Sequence, residues 1–397
     1  MEIHRTTVLI AGGGIAGLTA AARLGSLGLD VSVVEPSPAE SGAGDDRRTT
    51  AFLQPAVATF EKAGVWARLA PEATALWTMR LLDAGGRERA VRQKADFVAR
   101  EIQDRPFGYN LANTAVRAAL FERLGELPSV RVLRGVSVRA MLARAREALV
   151  TLSDGSRVRA RLAIAADGRN STLRQAAGIG VRRWSYGQKA LVFPVHHDQV
   201  PHEHISTEIH RTGGPLTLVP MPDLEGRPSS SVVWMVGERR ADRLATLDDA
   251  ALGAELTAET MGLFGPLEIA GERAVWPIIT QVATAMKAER LAIAAEAAHV
   301  IPPIGAQGLN MSLADVECLA RLIEDAEDPG APALLSAYQR RRLPEVALRV
   351  GGVDLLNRFA QAEVQPLRDL RRFGLATLHT LVPLRQTAMR LGMGAGG

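Results

Sequence analysis

Residues 6–27 have the sequence TTVLIAGGGIAGLTAAARLGSL. The apolar, β-branched stretch at residues 6–11 predicts a short buried strand, and the Ala- and Leu-rich residues 18–27 predict a helix. Three glycines between these two elements satisfy the pattern G-x-G-x-x-G, namely Gly12, Gly14 and Gly17. This stretch predicts the first strand–turn–helix of a dinucleotide-binding α/β fold.

Each glycine of this pattern has a separate physical purpose. The first permits the tight turn, the second lets backbone approach a pyrophosphate, and the third lets the helix pack on the strand. Unpaired N–H groups at the start of the helix, around Ile15 and Ala16, attract phosphate. A second predicted strand at residues 30–34 is followed by Glu35 and Pro36, and Glu35 lies 35 − 14 = 21 residues after Gly14. An acid about 20 residues beyond the glycines is typical of a ligand for the ribose hydroxyls.

Composition excludes several other classes of protein. The 47 Lys and Arg residues nearly balance the 43 Asp and Glu residues, which gives a net charge of +4. The sequence lacks a basic run interleaved with aromatic residues, the pattern that would predict nucleic-acid binding. Cys318 is the single cysteine in the sequence, so we expect neither a disulfide nor a thiolate metal cluster. A signal-peptide pattern and a long apolar span are not apparent. We therefore expect a cytoplasmic protein.

A second turn of similar size follows another predicted strand, at residues 157–166. That strand runs into Asp167 and Gly168, and Ser171 is placed to cap a new helix. On its own this pattern is equally typical of an ordinary strand-to-helix connection.

A third loop lies near residue 300. A predicted strand at residues 290–294 leads into AEAAHVIPPIGAQGLN at residues 295–310, and a helix is predicted for residues 311–326. The prolines and glycines of this loop indicate a rigid backbone whose N–H groups could hold an anionic ring edge or a pyrophosphate.

The chain between these loops predicts a second layer of structure. Residues 79–98 predict a β-hairpin, residues 189–236 a mostly antiparallel sheet, and residues 113–124 a helix with Asn113 or Thr114 as its N-cap. Four histidines fall in one loop of the sheet, and we interpret them as a polar loop rather than as a metal site: His196, His197, His202 and His204.

Taken together, the three loops resemble those of the FAD-dependent aromatic hydroxylases, the group A flavin monooxygenases. The resemblance covers nearly the whole chain and is closest to the branch of ubiquinone-biosynthesis hydroxylases. The further segments that look like this branch are residues 46–52, 108–110, 214–216 and 297–303.

The chain departs from the family pattern at two places. Ala295-Glu296 stands where the family usually has Gly-Asp, an acid that holds the ribityl chain of the flavin. Gly305-Ala306-Gln307-Gly308 stands where Ala-Gly-Gln-Gly is usual. We expect both changes to affect flavin affinity and the mobility of the loop.

The resemblance implies a fold like that of p-hydroxybenzoate hydroxylase: a Rossmann-like FAD-binding domain, a mostly antiparallel β-sheet substrate domain and C-terminal helices. The implied FAD-binding domain comprises residues 1–75, 100–180 and 281–345. The substrate domain comprises residues 76–99 and 181–280, and the C-terminal helical region comprises residues 346–397.

The implied activity is hydroxylation of the aromatic ring of a polyprenylated ubiquinone precursor, with NADPH or NADH and O2, through a C4a-hydroperoxyflavin. The resemblance implies three candidate catalytic residues beside the flavin ring: His299, Pro303 and Gly305. The alternative for His299 is that it only packs within the loop and takes no part in catalysis. The implied FAD-binding residues are Gly12, Gly14, Ile15, Ala16, Gly17, Glu35, Pro36, Arg48, Asn113, Asp167, Gly168, Glu296, Pro303, Gly305, Ala306, Gln307, Gly308, Leu309 and Asn310.

Helix-like apolar spacing after residue 345, with interspersed arginines, indicates either helices packed on the core or contact with an anionic membrane. The polyprenylated substrate implied by the family favours peripheral contact with the inner membrane, and other quinone-biosynthesis proteins are further possible partners. The alternatives are a hydroxylase of a soluble phenol or polyketide, a flavin halogenase or prenyl reductase, and a non-catalytic lipid-binding member of a biosynthetic complex.

Overall fold

The computed structural model describes residues 3–38, 48–86, 88, 90–211, 213–361 and 364–394. Within these residues the strands form three sheets. The first sheet contains β1 (Ile3–Ala11), β2 (Val31–Glu35), β8 (Val130–Arg134), β9 (Val138–Ala143), β10 (Ala148–Leu152), β11 (Arg157–Ala165), β18 (Lys287–Ala288) and β19 (Leu291–Ile293). The second contains β5 (Thr78–Asp83), β6 (Gln93–Val98), β12 (Val181–His196), β13 (Ile205–His210), β14 (Pro215–Leu224), β15 (Arg227–Gly237), β16 (Glu268–Ile269), β17 (Ala274–Ala283) and β20 (His299–Val300). The third contains β3 (Thr49–Leu53), β4 (Thr74–Leu76) and β7 (Gly108–Ala112).

The helices surround these sheets. They are α1 (Ile15–Gly25), α2 (Gln54–Lys62), α3 (Trp66–Leu69), α4 (Asn113–Gly125), α5 (Thr172–Ala176), α6 (Glu238–Ala245), α7 (Asp249–Glu259), α8 (Gln307–Ile323), α9 (Pro332–Gln361), α10 (Gln365–Thr380) and α11 (Val382–Met393). No helix of the described residues is long and apolar enough to cross a membrane.

The first sheet brings the three predicted loops to one edge. Strands β19, β11, β1, β2 and β8 lie side by side and run parallel. Ala11 at the end of β1 pairs with Ala165 of β11, which pairs in turn with Ile293 of β19. Because the carboxyl ends of parallel strands share one edge, the loops that follow these strands meet there, where open α/β sheets bind their ligands.

Burial explains why β1 is such a continuous apolar run. Val8, Leu9 and Ile10 are fully buried in the largest hydrophobic cluster, which also contains Leu18 of α1 and Leu313 of α8. Parallel strands covered by helices on both faces require apolar side chains on both faces.

The second sheet is mostly antiparallel, and its strand β13 also pairs in parallel with β5. The predicted hairpin at residues 79–98 is confirmed by the antiparallel pairing of β5 with β6. Helices α10 and α11 cover this end of the sheet, where Phe97 packs with Met389 and Met393 in one apolar cluster.

Two predicted helix starts and one predicted N-cap are wrong, whereas the helix predicted for residues 113–124 is confirmed by α4. Helices α1 and α8 begin at Ile15 and Gln307 rather than at residues 18 and 311, because Gly17 and Gly308 lie in their first turns instead of in the preceding loops. Neither Asn113 nor Thr114 caps α4. The residue before α4 is Ala112, and the Asn113 side chain instead accepts a hydrogen bond from Thr50 Oγ1, at 2.7 Å.

The division into two domains and a C-terminal region stays a prediction, with corrections at two boundaries. Residue 345 lies inside α9, which continues through Pro344 because its buried side chains, including Tyr338 and Val350, hold both halves against the core. β20 lies in the segment assigned to the FAD-binding domain, yet it pairs with β17 of the second sheet.

Candidate active site

The glycine loop after β1 is shaped partly by the protein's own packing. Gly12 has φ +103°, and a Cβ atom there would lie 2.2 Å from the carbonyl oxygen of Ala166. A Cβ at Gly17 would lie 1.9 Å from the carbonyl oxygen of Gly12. Both positions therefore require glycine whether or not a ligand is bound.

Gly14 differs from these two glycines. Its backbone angles, φ −71° and ψ 173°, are accessible to any residue, and a Cβ there would meet no atom of the described residues within 4 Å. Gly14 lies at the N-terminus of α1 and lines a large cavity together with Ile15 and Ala16. The protein's own packing does not explain this glycine, whereas close approach of a pyrophosphate to the N-terminus of α1 does.

Glu35 lies behind the glycine loop. Its side chain is buried, with Oε1 accepting a hydrogen bond from the Ser37 backbone N–H at 2.9 Å and Oε2 lying 3.9 Å from Arg117 Nη2. A Cβ atom on Gly13 would lie 2.0 Å from Glu35 Oε2, so the carboxylate packs directly against the glycine loop. Its role as the ribose ligand, and that of Pro36, stay predictions, because neither residue lines the cavity.

The second loop places the carboxylate of Asp167 beside the glycine loop, with only one of its two oxygens in hydrogen bonds to the part of the chain that the structure describes. Asp167 Oδ2 accepts hydrogen bonds from the backbone N–H groups of Thr172 and Leu173, at 2.8 Å and 3.3 Å. Asp167 Oδ1 is buried and has no hydrogen-bond partner among the described residues. Ser171 caps α5 as predicted, since its Oγ accepts from the Arg174 backbone N–H at 3.0 Å. A buried carboxylate oxygen without a partner fits a site for a hydroxyl-bearing ligand.

The third loop contains the two departures from the family pattern, and both alanines adopt left-handed backbone. Ala295 and Ala306 each have φ +56°, a region that costs an alanine about 1–2 kcal/mol and a glycine little. Glu296 lines the cavity, and its side chain is 55% exposed with Oε2 at 3.9 Å from Arg169 Nε. The acid at this position is therefore turned toward the cavity mouth and is only loosely paired.

His299 belongs to a buried charged cluster that sequence reasoning missed. In the tautomer with the proton on Nε2, His299 donates to Asp315 Oδ2 at 2.7 Å, while Arg342 Nε donates to Oδ1 at 2.7 Å and the Ala295 backbone N–H donates to Oδ2 at 3.0 Å. Burial raises the pKa of Asp315, but its interactions with His299 and Arg342 outweigh the effect of burial and hold the pKa of this carboxyl below its usual value. Asp315 thus ties the start of the loop to α8 and α9.

The predicted catalytic trio is brought to one cavity wall. His299, Pro303 and Gly305 all line the cavity, and His299 Nδ1 is buried without a hydrogen-bond partner among the described residues. Their catalytic roles stay predictions. The predicted FAD-binding residues of this loop that line the cavity are Glu296, Pro303, Gly305, Ala306, Gln307, Gly308 and Leu309.

Asn310 lies behind the loop rather than on the cavity. Its Oδ1 accepts from the Leu53 backbone N–H at 2.8 Å, and its Nδ2 donates to the carbonyl oxygens of Ala51 and Ala306, at 2.8 Å and 2.6 Å. These contacts fix the start of α8 against β3. We therefore assign the Asn310 side chain to shaping the loop, and any direct contact with FAD stays a prediction.

Arg48 and Asn113 line the cavity at its other side, and the Arg48 guanidinium lies over the Trp276 ring at 4.9 Å. The preceding residues Asp46 and Arg47 lie outside the described residues. In the part of the chain that is described, no group of three or more His, Cys, Asp or Glu side chains is placed to hold a metal ion.

A cavity of about 600 Å³ joins these loops to the second sheet. Its lining includes Gly14 and Gly168, Gly305 and Gly308 of the third loop, and apolar side chains of β12 and β15 such as Val192 and Val233. Asp167 itself does not line the cavity, but its neighbours Ala166 and Gly168 do. The open N-terminus of α1 and the backbone of the third loop together fit a dinucleotide with a ring system that reaches the sheet.

Residues 5–350 match the family model described as an FAD binding domain. The chain belongs to this family. It is 33% identical to the ubiquinone hydroxylase UbiL of Rhodospirillum rubrum over 98% of this chain and 89% of that protein. It is 29% identical to the 3-demethoxyubiquinol 3-hydroxylase of Escherichia coli over 99% of this chain and 100% of that protein. The crystal structure of p-nitrophenol 4-monooxygenase PnpA from Pseudomonas putida superposes with a TM-score of 0.80 at 19% identity, covering 100% of this chain and 98% of that one.

These comparisons confirm the predicted family, cofactor and fold. The chain is an FAD-dependent enzyme of the monooxygenase family, and its fold is the α/β fold of the p-hydroxybenzoate hydroxylase type. The prediction of a non-catalytic assembly protein is accordingly not retained. The two alanines with left-handed backbone lie within the residues that the family model matches, and their place in an FAD site stays a prediction.

Proposed function

We propose that this enzyme hydroxylates the aromatic ring of a polyprenylated ubiquinone precursor, with NADPH or NADH and O2 as co-substrates. The observation that supports this proposal most directly is that one cavity extends from the glycine loop at Gly14 to the second sheet at Val192 and Val233. The names of the relatives from Rhodospirillum rubrum and Escherichia coli support the substrate class.

The chain's own residues would bind and orient the reactants. Backbone N–H groups at Gly14 and Ile15 hold the phosphates, and the left-handed turn at Ala306 directs the start of α8 toward the ring. The apolar wall of the second sheet excludes water and holds the aromatic ring of the substrate. FAD, when bound, supplies the transfer of oxygen from O2 to the ring.

The experiment that tests this function is the quinone-lipid profile, by mass spectrometry, of a strain that lacks the gene. We expect loss of ubiquinone and accumulation of a polyprenylated intermediate lacking one hydroxyl group, both reversed by the wild-type gene. An unchanged profile in a strain without a redundant hydroxylase would contradict the proposal and favour a soluble phenol. Initial rates of the purified enzyme with NADPH and with NADH decide between the two donors.

The surface of α10 and α11 supports contact with a membrane. Leu370 and Phe373 of α10 are 54% and 69% exposed, and Leu391 of α11 is 63% exposed. Exposed apolar side chains grouped on adjacent helices favour insertion into the headgroup region of a bilayer. The same two helices pack on the second sheet in one apolar cluster with Met79 and Leu81 of β5, two residues that also line the cavity.

The charge of this surface is smaller than the sequence suggests. Two of its arginines form ion pairs within the chain, Arg371 with Asp83 and Arg385 with Glu101, and Arg358 of the preceding helix α9 pairs with Asp354. Arg372 and Arg390 are exposed. We therefore expect membrane contact to depend more on the apolar side chains than on the positive charge.

Co-sedimentation of the holoenzyme with vesicles that contain anionic lipid tests this contact. We expect Phe373→Glu to reduce the bound fraction severalfold. The matched control is Leu142→Glu, which changes a 55% exposed leucine on β9, outside the helical surface, and should leave binding unchanged. Equal binding by the two variants would contradict membrane contact through α10.

A further inference from the structure

A carboxylate lies on the cavity-facing side of the second sheet. Glu208 of β13 pairs with Leu81 of β5 on one side and with Thr217 of β14 on the other, and all three side chains line the cavity. Residues paired across strands share one face of a sheet, so these three side chains form one row across the cavity wall. The next row along the strands contains Met79, Ser206 and Val219.

The Glu208 carboxylate is held by a single neighbour on its own strand. His210 lies two residues further along and so faces the same side, and its Nε2 lies 2.6 Å from Glu208 Oε1. The two side chains are 13% and 15% exposed. With the proton on Nε2, His210 donates to Oε1 and fixes the carboxylate, which leaves Oε2 as an acceptor on the cavity side.

The other charged groups around this pair are already in ion pairs of their own. Arg80 of β5 pairs with Asp96, and Asp83, which lies opposite His210, pairs with Arg92 and Arg371. Arg211, the next residue in the chain, pairs with Glu259. Among the described residues, the two side chains form no ion pair with these groups; Arg371 Nη2 donates to the backbone carbonyl of His210 at 3.3 Å, and Glu208 lines the cavity.

A carboxylate in a largely apolar wall costs free energy unless it is hydrogen-bonded, and it accepts hydrogen bonds without donating any. Such a group selects a ligand that presents a donor. A phenolic O–H is a donor, whereas an ether or a quinone carbonyl at the same position is not. A hydrogen bond from the hydroxyl to a carboxylate also moves electron density into the ring, which favours attack by an electrophilic oxygen.

We propose that Glu208 binds the ring hydroxyl of the substrate, with His210 as the residue that positions its carboxylate. Glu208 then selects a ring that carries a free hydroxyl group and orients it within the cavity. This assignment rests on the proposed function, because it takes the substrate to be a phenol or hydroquinone.

The test compares a phenol with its methyl ether, 2-geranylphenol and 2-geranylanisole, as ligands of the holoenzyme in isothermal titration calorimetry. We expect the wild-type enzyme to bind the phenol about tenfold to hundredfold more tightly, the range for a hydrogen bond to a charged group. Glu208→Gln should abolish most of this preference, and His210→Gln should reduce it partially, since the carboxylate remains but loses its fixed orientation. A merely structural role for Glu208 would weaken both ligands equally.

The matched control is Glu268→Gln, which removes a 62% exposed carboxylate of the same sheet and should leave the preference at its wild-type value. FAD content and thermal unfolding of each variant check the fold, and His210→Gln tests the assignment if Glu208→Gln does not fold. An equal preference in wild type, Glu208→Gln and His210→Gln would overturn the assignment, as would a wild-type enzyme that binds phenol and ether alike. Failure of the wild-type enzyme to bind either ligand would instead overturn the proposed substrate class.

Discussion

Replacing Gly14 by alanine should separate protein stability from FAD affinity. The backbone angles at Gly14 suit an alanine, and in the part of the chain that the structure describes no atom lies within 4 Å of the added Cβ. A glycine-to-alanine change at such a position stabilises a protein by about 0.4–1 kcal/mol, because it reduces the freedom of the unfolded chain. We therefore expect the apoprotein of Gly14→Ala to unfold at a slightly higher temperature than wild type.

FAD affinity should change in the opposite direction. The Cβ would project into the cavity at the N-terminus of α1, where the pyrophosphate must approach the backbone. Loss of one hydrogen bond to a charged phosphate costs about 1.5–3 kcal/mol, which weakens FAD binding about tenfold to hundredfold.

Titration of each apoprotein with FAD, followed by flavin fluorescence, measures this affinity, and thermal unfolding without FAD measures stability. Gly351→Ala is the matched control, because Gly351 is an exposed residue of α9 with no atom near its added Cβ, so stability should rise and affinity should stay unchanged. Gly12→Ala should instead destabilise the apoprotein, since its Cβ would lie 2.2 Å from a carbonyl oxygen. Wild-type FAD affinity in a stable Gly14→Ala variant would refute the placement of the phosphates.

Two further predictions concern the third loop and its support. Ala306→Gly should raise the free energy of unfolding by up to about 1 kcal/mol, because relief of a left-handed alanine outweighs the added freedom of the unfolded chain; a lower unfolding temperature would argue against strain at φ +56°. Asp315→Asn should lower the free energy of unfolding by about 3 kcal/mol at neutral pH, because the buried Arg342 then keeps only the more exposed Glu345 as an anionic partner. The pKa of Asp315 is lowered in the folded protein, so its contribution to the free energy of unfolding is complete above the unfolded pKa of 3.8 and is lost as the pH falls through the folded pKa. The difference in free energy of unfolding between wild type and Asp315→Asn, measured by urea unfolding, should therefore shrink in that acid range. A deficit that stays constant into that acid range would contradict the ion pair.

Local sequence predicted the parts of the site whose geometry is set within a few residues. Gly12 and Gly17 are dictated by a turn between adjacent elements, and Ser171 caps the helix that begins at the next residue. The start of α8 was harder to predict because Gly305 and Gly308 are typical of loops. In the structure Asn310 ties the first turn of α8 to β3, a contact between residues far apart in the chain.

Long-range pairing explains what the sequence left undetermined. Glu208 faces the cavity only because β13 pairs in parallel with β5 in one particular register, Leu81 opposite Glu208. A shift of one residue would turn Glu208 away, and no local pattern specifies that register. Asp315 and Arg342 are likewise joined by the packing of α8 against α9, so an acid and an arginine that are unremarkable in sequence become a buried ion pair.

The most direct test of the proposed function is hydroxylation of a polyprenylated phenol by the purified holoenzyme under isotopically labelled O2. We predict that NAD(P)H-dependent turnover adds one labelled oxygen atom to the aromatic ring, as read by mass spectrometry of the product. Oxidation of NAD(P)H that yields only hydrogen peroxide with this substrate, while a soluble phenol is hydroxylated, would contradict the account.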